Sequence, residues 1–189
     1  MDKEYLIQQL DNIENAMLVN RMKVVHIVLE NKELFDYLLK IVFEINNKTS
    51  IKAAWILELI CDKKLDWLAP HLTYFTENIS NVQFDSAIRA LSKICQFLAR
   101  AYTSKTKSKI QAAIKPNHIE KMIEAGFDWL ISDQKVAVKA YSMEQLYLFG
   151  KDTDCVHAEL QLILEQNIIS ESCGYRARGK KILSWINKK

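Results

Sequence analysis

The sequence predicts an all-α protein: a right-handed α-α superhelix of about four to five helix pairs in a single domain, residues 1–189. Three observations support this prediction. Glycine and proline are scarce, at 4 and 2 of 189 residues, whereas sheet proteins spend these residues on frequent turns. Several windows have the apolar spacing of an amphipathic helix. A short residue pattern also recurs along the chain, as expected for a repeat of helix pairs.

Four windows predict the first helix of a pair, because their apolar residues fall on one helical face. Pro70 lies within the second window, so that helix is expected to begin near Asp66 or to bend at Pro70. The four stripes are Leu34, Leu38, Ile41, Val42 and Ile45; Leu65, Leu68, Ala69, Leu72, Phe75 and Ile79; Ile119, Met122, Ile123, Phe127 and Leu130; and Val156, Leu160, Ile163 and Leu164.

The second helices are marked by an apolar residue, a base and an alanine in succession. The copies are Ile51-Lys52-Ala53, Ile88-Arg89-Ala90, Val138-Lys139-Ala140 and Tyr175-Arg176-Ala177, with Met22-Lys23-Val24 as a looser one. The bases are 29, 37, 50 and 37 residues apart (23 to 52, 52 to 89, 89 to 139, 139 to 176). A helix-pair repeat has a period of this size. The long step predicts a polar loop inserted at residues 103–117.

The small residues in these starts would let neighbouring second helices approach closely. Ser50, Asp85 and Asp133 precede three of the starts and are expected to cap them. Asp85 and Asp133 are also candidates to pair with the base of an adjacent repeat. A plain helical bundle is the competing architecture, but it would not require the tripeptide to recur.

These starts resemble HEAT/armadillo repeats over most of the chain. The segment from Phe127 to Met143 is more specific. It resembles small helical proteins of Bacteroidetes-type bacteria, some of which carry the label adenylosuccinate lyase. Adenylosuccinate lyases are much longer and have a Gly- and Ser-rich signature loop, and no such loop occurs here. The resemblance therefore implies the fold and leaves the function open.

Composition excludes some classes of protein. The net charge of +3 is too small to indicate a nucleic-acid-binding protein by itself. The four cysteines are widely separated, which favours free thiols over a disulfide framework. The charged start, Met1-Asp2-Lys3-Glu4, leads into no apolar signal region, and no run approaches 18 apolar residues. We expect a cytoplasmic protein without a membrane segment.

The sequence contains no motif that commits it to a reaction. It has no Gly-x-Ser-x-Gly elbow, no Gly-x-Gly-x-x-Gly and no Walker loop. Cys155 and His157 are two residues apart, a spacing at which helical side chains diverge, and no second pair completes a zinc site. We therefore expect no catalytic residue, no metal and no cofactor.

The bases of the recurring starts are the candidate partner-binding residues; we call Lys52, Arg89, Lys139 and Arg176 the basic ladder. On a concave face they would bind an acidic peptide or a phosphate backbone. Alternatively, they pair with neighbouring acids and hold the repeats in register.

Aromatic and basic residues indicate an alternative function. Trp55, Trp67, Trp129 and Trp185 invite comparison with HEAT-like DNA glycosylases, although aromatics at helical spacing are more often core residues. Two basic clusters add to this alternative. They are Lys105, Lys107, Lys109 and Lys115, and Arg176, Arg178, Lys180, Lys181, Lys188 and Lys189.

The sequence thus favours a non-catalytic interaction module that binds a protein or peptide partner through a groove of helical repeats. A nucleic-acid-binding HEAT-like protein is the alternative.

Overall fold

Helices account for most of the chain in a computed structural model, which describes residues 1–44 and 46–188, with no side-chain description at Asp152 and Asp154. The helices are α1 Lys3–Asp11, α2 Leu18–Glu30, α3 Leu34–Val42, α4 Thr49–Lys64, α5 Leu72–Asn78, α6 Asp85–Tyr102, α7 Lys109–Ala113, α8 Pro116–Ile131, α9 Val136–Phe149, α10 Asp154–Asn167 and α11 Cys173–Ile186. Within the described ranges there is no strand. The all-α prediction is confirmed.

The helices follow one another as pairs, with the short α7 between the third and fourth pair. The pairs are α1 and α2, α3 and α4, α5 and α6, α8 and α9, and α10 and α11. Across the described residues this gives five pairs, at the upper end of the predicted four to five. Each recurring start lies in the second helix of its pair, in α4, α6, α9 and α11, and the looser copy lies in α2.

Contacts divide the chain into two compact units, Met1–Ile94 and Cys95–Lys189, and the division falls within α6. In the N-terminal unit α4 is central, because it packs against α1, α2 and α3. In the C-terminal unit α9 is central and packs against α8, α10 and α11. Nothing tests the prediction of a single domain, which stays a prediction.

The first and second helices of a pair differ in residue composition because neighbouring helices bury them to different extents. Helix α3 buries one continuous apolar face, which includes Leu34, Leu38 and Ile41. Helix α4 is covered on several sides, and its alanines Ala53 and Ala54 have no exposed surface. Small side chains at such positions allow neighbouring backbones to approach, as the sequence pattern predicted. Burying these apolar side chains stabilises the fold by roughly 25 cal/mol per Å² of apolar surface.

The window around Pro70 does not form one helix. Residues Leu65–His71 form a 3₁₀ helix that contains Pro70, and α5 begins only at Leu72. Proline lacks the N–H that an α-helix needs and restricts the residue before it. The predicted first stripe also ends early, since α3 ends at Val42 and Ile45 lies outside the described residues.

The predicted caps are wrong. Ser50 lies inside α4, which begins at Thr49, and the Asn47 side chain accepts a hydrogen bond from the Thr49 N–H at 3.0 Å. Asp85 is the first residue of α6, where its charge favours the positive end of the helix dipole. Asp133 precedes the Lys135 cap position of α9 and is too early to cap it.

The segment predicted as a polar loop, residues 103–117, contains the short helix α7. The Ser108 side chain caps α7 by accepting a hydrogen bond from the Gln111 N–H at 3.1 Å. Ile110 is 1% exposed and anchors the segment to the core. Two features local to the segment, a cap and one buried apolar residue, thus order part of it.

The four cysteines are free thiols, as predicted. Cys61 and Cys95 are buried, whereas Cys155 and Cys173 are exposed. Burial raises the pKa of the Cys61 thiol, and the nearby Glu58 charge raises it further. The reactive thiolate is therefore disfavoured at Cys61.

A thiol-labelling experiment follows from this burial. We expect Ellman's reagent to modify Cys155 and Cys173 rapidly in the native protein and all four cysteines in denaturant, because only the thiolate reacts and it must be accessible. The double variant Cys155→Ser/Cys173→Ser is the control and should show no rapid phase. A rapid phase in that variant would contradict the burial of Cys61 and Cys95.

Candidate binding site

The basic ladder occupies equivalent positions near the helix starts. Its base is the fourth residue of α4, α9 and α11 and the fifth of α6, counted from the helix bounds. Lys52 and Arg89 belong to the N-terminal unit, and Lys139 and Arg176 belong to the C-terminal unit. The local environments of the four bases differ.

Lys52 links α4 to the end of α1 through a hydrogen bond. Its Nζ donates to the carbonyl oxygen of Asp11 at 2.8 Å. The Thr49 hydroxyl donates to the Asp11 carboxylate, also at 2.8 Å. A cation at a helix C-terminus is favoured by the helix dipole. Lys52 therefore has a structural contact within its own unit.

Arg89 and Lys93 of α6 surround a buried acid on α4. The side chain of Glu58 is 5% exposed and forms ion pairs with Arg89 and, at 3.1 Å, with Lys93. Both bases are 31% exposed. A buried carboxylate requires such partners, because an unpaired charge is costly to remove from water. The partner of Arg89 is thus Glu58, which lies within the neighbouring second helix α4.

Lys139 and Arg176 are held differently in the C-terminal unit. Lys139 Nζ lies 2.6 Å from the Glu171 carboxylate and 5.7 Å from the centre of the Tyr175 ring. Burial, followed by the Glu171 charge, raises the pKa of Tyr175 to about 12. Arg176 is exposed and donates to the Cys173 sulfur at 3.1 Å. Lys139 therefore pairs with Glu171, whereas the acids predicted to pair with the base of an adjacent repeat were Asp85 and Asp133.

Around Arg89 the N-terminal unit has an open cleft of about 440 Å³. Its lining residues are Ala16, Arg21, Trp55, Glu58, Leu59, Ser86, Arg89 and Lys93. Three of these residues are basic and one is acidic, so the cleft has an excess of two positive charges. A cleft with an excess of one sign of charge attracts ligands of the opposite sign.

Arg21 differs from the other two bases of the cleft. Its guanidinium lies 5.9 Å from the centre of the Trp55 ring. Its Nε is buried and, among the residues that the structure describes, has no hydrogen-bond partner. A buried donor without a partner costs free energy, which an anionic acceptor would recover. The position of Arg21 in the cleft therefore favours an anion.

A second buried acid, Glu144 of α9, organises the C-terminal unit. Its side chain is 8% exposed and forms ion pairs with Arg100 at 2.7 Å and Arg178 at 2.8 Å. The Gln96 amide also donates to it at 2.9 Å. The carboxylate thus links α9 to residues of α6 and α11. Like Glu58, it holds neighbouring second helices together.

The roles of Glu58, Glu144 and Arg21 were not predicted from the sequence. A signal for the acids existed, because each glutamate interrupts a run of apolar or small residues. Glu58 lies between Leu57 and Leu59, and Glu144 follows Met143. A lone charge within such a run either is exposed or pairs with charges from elsewhere in the chain. Arg21 gave no signal beyond being a base.

Trp55, Trp67 and Trp185 contact residues of their own unit, and the fourth tryptophan is buried. Trp129 is 5% exposed. Trp67 packs edge-on against Phe35 with its ring centroid 5.8 Å away, and Lys32 lies over its ring. Trp185 contacts Tyr147, and Lys181 lies 5.1 Å from its ring centre. Together with Arg21 on Trp55, these contacts fit core and packing roles.

The basic clusters lie in the C-terminal unit. Lys105 and Lys107 line a second open cleft of about 490 Å³ with Ser108, Gln111 and Ala112. Arg176, Lys180, Lys181 and Lys188 are exposed, whereas Arg178 is half-buried on Glu144. Lys189 lies outside the described residues.

Comparison with known proteins identifies the family. A family model described as a HEAT repeat domain matches residues 9–186. The chain belongs to the HEAT repeat family, which confirms the resemblance of its helix starts. Searches of curated proteins and of solved structures found no match.

Two further findings concern membranes and metals. None of the helices in residues 1–44 and 46–188 has the length and apolar character needed to cross a bilayer. Within the described part of the chain, no three His, Cys, Asp or Glu residues are grouped so that they could hold a metal ion.

Proposed function

We propose that this HEAT repeat chain is a non-catalytic, cytoplasmic scaffold that binds a protein or peptide partner through its second helices. The cleft around Arg21, Arg89 and Lys93 carries the proposal. It combines an excess of positive charge with an unpaired buried donor at Arg21. Both features suit the carboxylates of an acidic protein segment.

The chemistry of the cleft supports binding rather than catalysis. Glu58 is the acid in the cleft and is held by two bases. A general base needs a carboxylate oxygen that is free to accept a proton, whereas Arg89 and Lys93 engage both oxygens of Glu58. Among the described residues that line the cleft, none is a histidine or cysteine that could activate Ser86. We therefore assign no cofactor and no catalytic residue.

Capture of a partner from the host's cytoplasm tests this function. We expect the immobilised chain to recover a specific protein, and charge reversal at Lys52, Arg89 and Lys139 to weaken the recovery, because acidic partners meet like charge. Recovered proteins are identified by mass spectrometry. Unchanged recovery would reject the basic ladder as the contact surface.

The controls separate binding from folding. Lys139→Glu places two acids together, so it is compared with the exchanged pair Lys139→Glu/Glu171→Lys, which restores the ion pair. Thermal melting of each variant shows whether the fold persists. Failure of the well-folded native chain to recover any protein would count against a scaffold function.

Nucleic-acid binding is the second candidate, and the cleft at Lys105 and Lys107 favours it. Binding of a labelled DNA duplex at low and at moderate salt decides this alternative. Phosphate contacts must weaken steeply as salt rises, because counterions are released on binding. Absence of binding at low salt would remove it.

A further inference from the structure

Three successive apolar residues are exposed where α2 begins. Met17, Leu18 and Val19 are 61%, 55% and 60% exposed. Single exposed apolar residues are common on protein surfaces, whereas contiguous groups mark interaction sites more often. We call these three residues the apolar step.

The apolar step is held in a defined conformation. The Asn15 side-chain oxygen accepts hydrogen bonds from the Met17 N–H at 3.0 Å and from the Asn20 side chain at 3.2 Å. The Arg21 N–H also donates to the Met17 carbonyl oxygen at 3.3 Å. A preorganised surface loses less entropy when a ligand binds.

The apolar step adjoins the charged cleft. In sequence it lies between Ala16 and Arg21, and both of these residues line the cleft. Leu18 lies three residues before Arg21 on α2, so the two side chains share a helix face, and an apolar surface adjoins the positive charge of the cleft in the N-terminal unit. A ligand that uses both must carry a negative charge next to an apolar group.

We propose that the apolar step and the cleft together bind a peptide segment of a partner protein in which an Asp or Glu stands beside large apolar residues. The carboxylate accepts from the guanidinium of Arg21, and the apolar side chains pack on Met17, Leu18 and Val19. This inference rests on the proposed scaffold function and names the chemistry of the partner.

A peptide suits this surface better than a nucleic acid. The ring of Trp55 already carries the guanidinium of Arg21, so it is a poor platform for a base. The apolar step also has no counterpart on a phosphate backbone, which is recognised through charge.

Selection from a random peptide display library on the full chain tests the proposal. We expect enriched peptides to carry an acid adjacent to large apolar residues. An enriched peptide is then labelled, and its binding is measured by fluorescence anisotropy. Arg21→Gln and Leu18→Ser should each weaken it about tenfold, since each removes about 1.4 kcal/mol of binding free energy. A single-stranded oligonucleotide is tested as a competitor.

Controls make the outcome decisive. Lys135→Gln changes an exposed base of the C-terminal unit that lies outside the basic ladder, and it should leave binding unchanged. Leu18 is exposed, so Leu18→Ser should not disturb folding even if Arg21→Gln does. Enriched peptides without acids, unchanged affinity in both variants, no enrichment, or displacement by the oligonucleotide would each overturn the proposal.

The two levels of the proposal can fail separately. If capture of a host protein is weakened by charge reversal at Lys52 and Lys139 but is unaffected by Arg21→Gln and Leu18→Ser, the scaffold function stands and this inference is wrong. If no host protein is captured at all, the scaffold function is itself in doubt.

Discussion

Replacing Glu144 by alanine is expected to lower the free energy of unfolding by about 2–3 kcal/mol. The substitution removes the carboxylate that holds Arg100, Arg178 and Gln96. Breaking a fully buried ion pair costs about 3–5 kcal/mol, because the remaining charge is left without a partner. The expected value is smaller because Arg100 and Arg178 are 52% and 29% exposed and can turn towards water.

Urea denaturation followed by circular dichroism measures this effect. Glu144→Gln keeps the shape and one acceptor oxygen while removing the charge, so we expect a loss of about half that size. Glu159→Ala changes an exposed acid in the same unit and should stay within about 0.5 kcal/mol of the native protein. A Glu144→Ala protein as stable as the Glu159→Ala control would show that the acid contributes little.

The fold could be predicted from the sequence because the residue patterns that specify it are short and recur along the chain. A helix start such as Ile51-Lys52-Ala53 indicates which face of the helix is packed. Its recurrence indicates that the same packing is repeated. The start at Ile88-Arg89-Ala90 falls at the matching place in α6. Periodicity of this kind depends on the helix geometry alone, and no knowledge of distant contacts is needed.

The candidate site could be predicted only in part. Arg89 was identified as a base at a helix start, but its partner Glu58 lies 31 residues earlier in the sequence. Glu144 contacts Gln96, Arg100 and Arg178, which are 48, 44 and 34 residues away. Pairing over such distances depends on how helices stack, and a residue pattern does not specify which acid meets which base. The prediction that Asp85 and Asp133 pair with the bases of adjacent repeats was therefore wrong.

The helix caps were predicted wrongly for a different reason. A serine before a predicted helix is a good cap only if the helix begins immediately after it. Helix α4 begins one residue before Ser50, and the Asn47 side chain accepts a hydrogen bond from the first N–H of the helix. A shift of one or two residues leaves the helix in place and changes its cap. Helix boundaries are accordingly harder to predict than the presence of helices.

The scarce glycines lead to a second stability prediction, which concerns the contact between α8 and α9. A Cβ atom added at Gly126 would overlap the Gln145 amide nitrogen and lie 3.2 Å from the Leu146 side chain. The Gln145 amide cannot easily move, because it is buried and donates to the Met122 carbonyl oxygen. Glycine at this position therefore permits the close approach of the two helices.

We expect Gly126→Ala to lower the free energy of unfolding by about 1–2 kcal/mol. Overpacking of a well-packed core costs roughly 1–3 kcal/mol, and the better helix propensity of alanine offsets up to about 1 kcal/mol of this cost. Gly179→Ala is the matched control, since it also lies in a helix but its added Cβ would meet Leu164 at an ordinary 3.5 Å. That variant should gain about 0.5–1 kcal/mol from helix propensity.

Opposite signs for the two variants, measured by urea denaturation, are the critical result. The same chemical change is made in two helices of one unit, so propensity acts alike in both and only the surroundings differ. If Gly126→Ala also stabilised the protein, α8 and α9 would have to be less closely packed than the structure shows. If both variants were destabilised, the space beside Gly179 would be smaller than its distances to Leu164 and Ile168 indicate.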